Sequence, residues 1–385
     1  MSAGTRAPGG ERESRVLGLQ LRDFRTYARA DARLGLGLTV VHGPNGAGKS
    51  NLLEALYFGC TARSMRTRNE RELVRFGARA ARVVVRVGDG ARHHELSVGF
   101  EPAAGGERAA RRMTYDGASV ARLSDVAERP LMSVFDPDRL ELVKGSPGAR
   151  RAHLDQVVAA IWPARARDRR DYARALAQRN ALLARIRSGG ASATALSAWD
   201  RELAATALVL REHRRAAAEL LAAPFAQRAA QLGCSNGTRL EYRPRSRARD
   251  QDEFVAELRA RLELDVRRGF SSHGPHRDEL TILRDGRELR VYGSQGEQRL
   301  ALLALLLAER GVIASERRRA PVMLLDDVMS ELDAERRELL AAELTSQGQS
   351  VIATTDLGHV PGSGDASVTR LRVSGGAVLQ EALAA

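Results

Sequence analysis

The octapeptide Gly43-Pro44-Asn45-Gly46-Ala47-Gly48-Lys49-Ser50 matches G-x-x-x-x-G-K-[ST] at every fixed position and follows the apolar run Leu38-Thr39-Val40-Val41. A buried strand, a glycine-rich turn and a helix opening at Ser50-Asn51-Leu52-Leu53-Glu54 aim backbone N–H groups and a positive helix end at one spot, where a polyphosphate fits. In that setting Lys49 reaches the β/γ-phosphates and Ser50 holds Mg²⁺. The basic residues reinforce the reading. Only two of the 61 are lysines, Lys49 and Lys144, and arginine fills every other cationic position. A planar guanidinium cannot stand in for the compact ammonium inside such a loop, which is a physical reason for lysine to persist there.

At 385 residues the chain can bury a large core and form two or three domains, or one domain with an insertion. The longest near-uniform apolar stretch, Leu300 to Ala308, is about half the length of a bilayer span. The first residues carry no apolar signal core, and the two cysteines, Cys60 and Cys234, build no disulfide framework. A cytoplasmic protein is expected. A net charge of +13 points towards a polyanion such as nucleic acid, although abundant Ala, Arg and Gly also follow from a GC-rich coding bias.

The pattern from Arg15 reads strand, turn, strand, then a strand into the loop; Val83–Val87 and His94–Val98 read as a hairpin around Gly88-Asp89-Gly90. Between Gly148 and Gly233 the character becomes helical. Tyr172, Leu176, Leu183 and Ile186 mark one apolar face, and Leu196, Trp199, Leu203 and Leu210 another. Ser188-Gly189-Gly190 separates the two helices, and Pro224 is expected to kink or end the second. From Gly269 onward α/β signals return. The division expected is a solvated tail over 1–14, the N-terminal part of an ATPase lobe over 15–145, a helical lobe over 146–265, and the C-terminal part of the ATPase lobe over 266–385.

A second constellation completes the first. Val322-Met323-Leu324-Leu325-Asp326-Asp327 is a buried strand ending in two carboxylates, the natural partner of a P-loop. Asp326 is placed to bind Mg²⁺ through water and Asp327 to polarise the attacking water as general base. Ser330-Glu331-Leu332-Asp333 resembles the D-loop of cassette ATPases, and Ser294-Gln295-Gly296-Glu297-Gln298-Arg299 resembles their signature, at the start of an apolar helix. Beyond them, Ser350–Asp356 reads as a strand ending at the switch position, with Thr354 or Thr355 where transport cassettes usually carry histidine. In this order of motifs 277 positions separate Lys49 from Asp326, wider than in a transport cassette. Chromosome-maintenance and recombination ATPases place insertions in that interval. The fold class expected is an α/β P-loop core of the ABC/SMC type with an inserted α-helical lobe.

Several longer stretches carry a resemblance to the RecF family of bacterial recombination-mediator and gap-repair ATPases over nearly the whole chain. They are Leu21-Arg22-Asp23-Phe24-Arg25-Thr26-Tyr27, Asn51-Leu52-Leu53-Glu54-Ala55, Ala62-Arg63-Ser64-Met65-Arg66-Thr67, and the segment from Phe135 through Lys144-Gly145-Ser146-Pro147 to Asp155. Gln178-Arg179-Asn180 and Gly274-Pro275-His276-Arg277-Asp278 complete the set. The departures are Met65 for a frequent Phe, Asp136 for a commoner Ser, Glu279 for a second Asp and Glu297 at a variable signature position. None removes a phosphate or metal ligand.

The resemblance implies an ATP-dependent DNA-binding protein of recombinational gap repair, replication restart and the SOS response. It implies a homodimer formed on ATP binding, in which Ser294, Gln295 and Gly296 of one copy reach the nucleotide of the other. It also implies single-stranded, gapped or junction DNA as ligand, RecO and RecR as partners, and slow ATP hydrolysis used as a switch. Arg63, Arg66, Arg68 and Arg71 either track DNA phosphates or solvate a loop near the ATP site. Lys144, Arg150 and Arg151 either contact nucleotide or couple its site to the helical lobe. His276, Arg277 and Asp278 are expected to support the site structurally, while Tyr27 and Arg25 are candidates to touch adenine. The rival readings are a nucleotide-stabilised adaptor and another cassette ATPase without DNA clamping.

Overall fold

A computed structural model of the chain describes residues 15–88, 92–102 and 109–381. The expected tail over 1–14 and the turn residues Asp89 and Gly90 lie outside them. The described residues cluster into two compact units, one drawn from both ends of the chain, up to Asp138 and from Ile313 onward, the other Arg139–Val312.

In the first unit the chain opens with a hairpin of β1 (Arg15–Phe24) and β2 (Tyr27–Arg33), closed by the two residues Arg25 and Thr26. β3 (Leu38–His42) feeds the P-loop, and α1 (Lys49–Thr61) follows it. Next come β4 (Ala81–Gly88), β5 (His93–Glu101), β6 (Ala110–Tyr115), β7 (Ala118–Ser119) and β8 (Met132–Phe135). β4 and β5 are the hairpin expected from their alternating pattern.

The second unit begins with the short α2 (Glu141–Lys144), then α3 (Pro147–Ile161), α4 (Asp168–Arg187) and α5 (Leu196–Gln231). β9 (Arg239–Arg243), α6 (Gln251–Arg259), α7 (Leu262–Arg268), β10 (Glu279–Arg284), β11 (Arg287–Glu288) and α8 (Leu289–Tyr292) lead to α9 (Gln295–Arg317). β9, β10 and β11 form a small antiparallel sheet. Tyr172 and Ala175 of α4 pack with Leu203, Ala204, Ala207 and Leu210 of α5 and with Phe254 and Leu258 of α6, as the helical periodicity requires. Pro224 does not end α5. The helix continues through it, because Leu221 and Phe225 on either side are buried and hold the next turn in place despite the missing N–H.

The chain then returns to the first unit with β12 (Val322–Asp326), α10 (Ala334–Ser346), β13 (Ser350–Thr354), β14 (Thr369–Ser374) and β15 (Ala377–Gln380). Two sheets result. One is antiparallel, in the order β2-β1-β4-β5-β6-β7; the other runs β15-β14-β3-β13-β12-β8 and is parallel from β14 to β8. α1 lies between them, packed on β1, β4 and β5 on one side and β8, β12 and β13 on the other. This explains why it is apolar nearly all round. Leu52, Leu53, Leu56 and Phe58 are buried in one core shared by both sheets, each worth about 1.5–3 kcal/mol. Gly59 admits the closest approach, since a Cβ there would meet Val85 at 2.4 Å.

Candidate functional site: a phosphate-binding edge

Parallel pairing brings the scattered motifs together. β13 aligns Thr354 with His42 of β3 and Ala353 with Asp326 of β12, and β12 aligns Leu325 with Phe135 of β8. The P-loop, Asp326-Asp327, Thr354-Thr355 and Asp136 therefore all leave the sheet at its carboxyl edge, where open α/β sheets bind ligands.

The loop's backbone is one that only glycine accepts at two points. At Gly43 (φ 153°) a Cβ would strike the Val373 carbonyl at 2.2 Å, and at Gly48 (φ 115°) it would come within 2.9 Å of the Tyr27 hydroxyl. Lys49 is buried, and its Nζ donates to the carbonyls of Gly43 at 2.8 Å and Pro44 at 3.0 Å, so the ammonium closes the loop that it serves. Burial lowers the Lys49 pKa, while the Asp327 and Asp326 carboxylates act in the opposite direction. Asn45, Gly46 and Ala47 form the outer turn, with open space beside the Gly46 α-carbon.

Ser50, the second residue of α1, donates a hydrogen bond to Asp326, whose own pKa is raised by burial and by the neighbouring Asp136 and Asp327 carboxylates. A carboxylate bonded to a seryl hydroxyl, with two further acids near that carboxylate, suits a hard cation. Among the described residues no group of three or more His, Cys, Asp or Glu side chains is arranged to hold a metal by itself. Mg²⁺ would therefore take Ser50, Asp326 and phosphate oxygens, the donor set that a P-loop site supplies. Asp327 sits in the left-handed region (φ 49°), its N–H donating to the Ala353 carbonyl at 3.0 Å. Its Oδ1 is buried without a hydrogen-bond partner, an acceptor turned into the site. These observations fit a polyphosphate with its cation. Asp136 is the residue that sequence reasoning passed over; its signal was an acid directly after the apolar run Met132–Phe135, the same pattern as Asp326.

Behind the loop two residues of the first hairpin hold α1 in place. Tyr27 is fully buried and its hydroxyl donates to the Gly48 carbonyl at 2.8 Å, while Arg25 grips the buried Glu54 of α1 through two bonds of 2.8 and 2.9 Å. The tight β1–β2 turn presses both side chains against α1, where they brace the P-loop helix. Ser64 also donates to Glu54 at 2.5 Å, and Arg66 donates to Asn51 at 3.0 Å, which ties the arginine-bearing loop to the same helix. Arg63, Arg68 and Arg71 are exposed on that loop. At the switch, Thr354 is buried and its hydroxyl donates to the Asp356 carbonyl at 2.9 Å, which leaves the exposed Thr355 as the outward threonine.

In the second unit, Ser294, Gln295 and Gly296 are exposed at the start of α9. Ser294 and Glu297 form a capping box: the Glu297 N–H donates to the serine hydroxyl at 3.3 Å, and the Ser294 N–H donates to the carboxylate at 2.8 Å. Gln298 is buried and donates to the carbonyls of Leu289 and Gly293, fixing the approach to the helix. No neighbour lies within 4 Å of a Cβ built on Gly296, so the fold of this chain alone does not demand glycine there.

Most of the remaining candidates have partners within the second unit. Arg150 donates to Glu279 and to the Gly145 carbonyl, Arg151 donates to the Asp278 carbonyl, and Lys144 is exposed in the last turn of α2. His276 lies 2.6 Å from the Tyr172 hydroxyl and 2.9 Å from the Ser271 carbonyl, and burial pushes its pKa down to about 4. Asp278 accepts from Tyr242, Arg214 and the Arg245 N–H. Arg277 is exposed, with its guanidinium 5.8 Å from the Phe270 ring centroid.

Known proteins resemble the chain over most of its length. The profile of the RecF/RecN/SMC N terminal domain matches residues 15–363. The DNA replication and repair protein RecF of Myxococcus xanthus is 38% identical over 380 residues, covering 94% of this chain and 97% of that protein. The protein of the same name from Streptomyces avermitilis is 37% identical, covering 94% and 99%. The solved structure of the recombination mediator protein RecF-ATP in the RecFOR pathway superposes with a TM-score of 0.82 at 26% identity, covering 98% of this chain and all of that one. An Smc head domain from Pyrococcus furiosus shares the fold, with a TM-score of 0.59 at 18% identity.

Proposed function

The chain belongs to the RecF family, within the RecF/RecN/SMC group, and from that premise we propose that it is an ATP-dependent DNA-binding protein of recombinational gap repair, replication restart and the SOS response. The observation that carries this reading is the carboxyl edge of the parallel sheet, where a strained P-loop, the Ser50–Asp326 bond and the unpartnered Asp327 oxygen meet.

ATP binds with its phosphates against the N–H groups of Gly46, Gly48, Lys49 and Ser50, and Lys49 exchanges its two carbonyl partners for phosphate oxygens. Ser50 and Asp326 hold Mg²⁺. When bound there, the cation would supply neutralisation of the phosphate charge. Asp327 orients a water for attack and takes its proton as general base. Hydrolysis is slow and serves as a reset.

Ser294, Gln295 and Gly296 lie exposed at a helix N-terminus in a sequence like the cassette signature. A second copy presents them to the γ-phosphate, so ATP binding produces a homodimer. The dimer engages single-stranded, gapped or junction DNA through phosphate contacts, with Arg63, Arg68 and Arg71 contributing and Arg66 reporting on the ATP site through Asn51. RecO- and RecR-type mediators are its protein partners, and it acts in the cytoplasm. Among the described residues no helix is long and apolar enough to cross a membrane.

Sedimentation velocity with and without ATP, then with gapped duplex, tests the reading. A monomer that dimerises only with ATP, and a DNA complex that requires ATP, are expected. A monomer indifferent to ATP would replace the clamp by a nucleotide-stabilised adaptor.

A further inference from the structure

The outer face of the antiparallel sheet, opposite the side on which α1 packs, carries a row of arginines set by strand register. Arg22 of β1 stands opposite Arg29 of β2 on one side and Arg82 of β4 on the other; Arg82 stands opposite Gly99 of β5, and Gly99 opposite Arg112 of β6. All four arginines are exposed, while Leu21, Val83 and Val98, their neighbours in the alternation, belong to the core. The row crosses five strands and spans about 19 Å at the usual strand spacing. Among the described residues none of the four forms an ion pair. Arg82 donates to the Ser97 hydroxyl at 3.0 Å, a neutral partner that holds its guanidinium down on the sheet.

Further along the same strands the charges are balanced. Arg86 reaches Asp31 at 3.3 Å and stands opposite Glu95. Like charges directly opposite one another weaken a sheet, and an anion lying on the uncompensated row would relieve that cost. Gly99 interrupts the row with no side chain, and a Cβ there would meet nothing closer than 3.9 Å, so the fold itself does not require glycine. The gap makes a shallow trough between Arg82 and Arg112.

An aromatic ring stands at the same rim. Arg75 is pinned to the end of β1, its N–H donating to the Asp23 carbonyl and its Nε to the Asp23 carboxylate, both at 2.8 Å. The turn Arg75-Phe76-Gly77-Ala78 closes with the Ala78 N–H on the Arg75 carbonyl at 2.9 Å, and Gly77 takes φ 81°. Phe76 is left 99% exposed on this fixed turn. A row of guanidinium groups without ion pairs, with an exposed ring on a turn anchored to the end of the same strand, is the chemistry that grips single strands, with cations on phosphates and a ring under a base.

We propose that this face binds the single-stranded part of a nucleic acid, the Arg22-Arg29-Arg82-Arg112 row taking consecutive phosphates and Phe76 stacking on a base. The proposal rests on the DNA-binding reading above and adds to it a location and a strand preference. The hairpin that carries Arg22 and Arg29 ends in the turn that braces Gly48 and Glu54, so strand and nucleotide share one element.

Fluorescence anisotropy of the full chain with ATP, on labelled oligo-dT and on a duplex of equal length, tests it. Phe76→Ala is expected to weaken oligo-dT binding roughly 5- to 100-fold, the loss of one base stack, and to leave the duplex within about twofold. Arg22→Gln with Arg112→Gln is expected to flatten the salt slope on oligo-dT by about 1.4, the share of two phosphates. All three positions are exposed, and unchanged thermal unfolding checks that the variants fold. If both variants bind oligo-dT like the parent while Arg63→Gln with Arg68→Gln and Arg71→Gln abolishes binding, the site is the loop and this proposal falls with the DNA reading intact. Unchanged binding in all variants, as an acidic protein occupant of the face would give, overturns it equally. A parent chain that binds neither probe removes the DNA reading itself. Equal losses on strand and duplex from Phe76→Ala overturn the strand preference.

Discussion

Asp327 combines a left-handed backbone with a buried, unpartnered carboxylate oxygen, each of which carries a cost. Strain of this kind fits a group held ready for a reactant. Replacing Asp327 by Asn keeps the shape and removes the base, so ATP binding should persist while steady-state hydrolysis falls by about 100-fold or more; wild-type turnover in that variant would remove Asp327 from the mechanism. Lys49 is the companion case. Its ammonium fits between two loop carbonyls 2.8 and 3.0 Å away, and Lys49→Arg brings a wider, planar cation into that space. Weaker ATP binding, measured by fluorescent nucleotide titration, and a smaller ATP-driven dimer fraction are expected. Both residues are candidates from the sequence alone, because the chemistry proposed for them depends on fixed spacing to the phosphates. Asp136 was not, since one acid after a four-residue strand has no meaning until β8 is seen beside β12.

At the scale of elements, α4 shows how a pattern can conceal its main feature. The stripe Tyr172, Ala175, Arg179, Leu183 has helical spacing, yet its third member is a fully buried arginine. Arg179 donates to Asp200 on α5 at 2.7 Å, to Asp265 on α7 at 2.9 Å and to Ser271 at 2.7 Å, joining three segments at one guanidinium. Truncating one partner of such a pair leaves the others charged and dry. Arg179→Ala is expected to destabilise the protein by about 3–5 kcal/mol, read from urea unfolding. A neighbouring segment adds a pH dependence. The folded-state pKa of His276 is depressed to about 4 from an ordinary 6.5, so on acidification the unfolded chain takes up a proton first. Stability should therefore fall between pH 6.5 and 4, by up to ~3 kcal/mol from this group, and His276→Gln should flatten that part of the pH–stability curve. Helix periodicity announced α4 and α5, but it cannot tell a buried arginine from a solvated one, because the partners lie 21 and 86 positions away.

For the whole molecule, a net charge of +13 makes phosphate contacts the main source of affinity in the proposed DNA binding. Raising salt from 50 to 200 mM should weaken DNA binding at least about tenfold, and a constant unchanged in that titration would exclude a phosphate-dominated interface. Local sequence determined the P-loop, the paired acids after β12, the helices α4 and α5 and the family, because each is written in contiguous residues with a recognisable spacing. Tertiary structure decided what depends on neighbours distant in the chain. It set Tyr27 and Arg25 as braces against α1, and it carried α5 past Pro224 on its buried flanks. It also placed Asp136 by Asp326 and aligned Arg29, Arg22, Arg82 and Arg112 into one row. Strand pairing and burial are relations between segments, and a single strand's alternation states which face a side chain takes without stating what stands next to it.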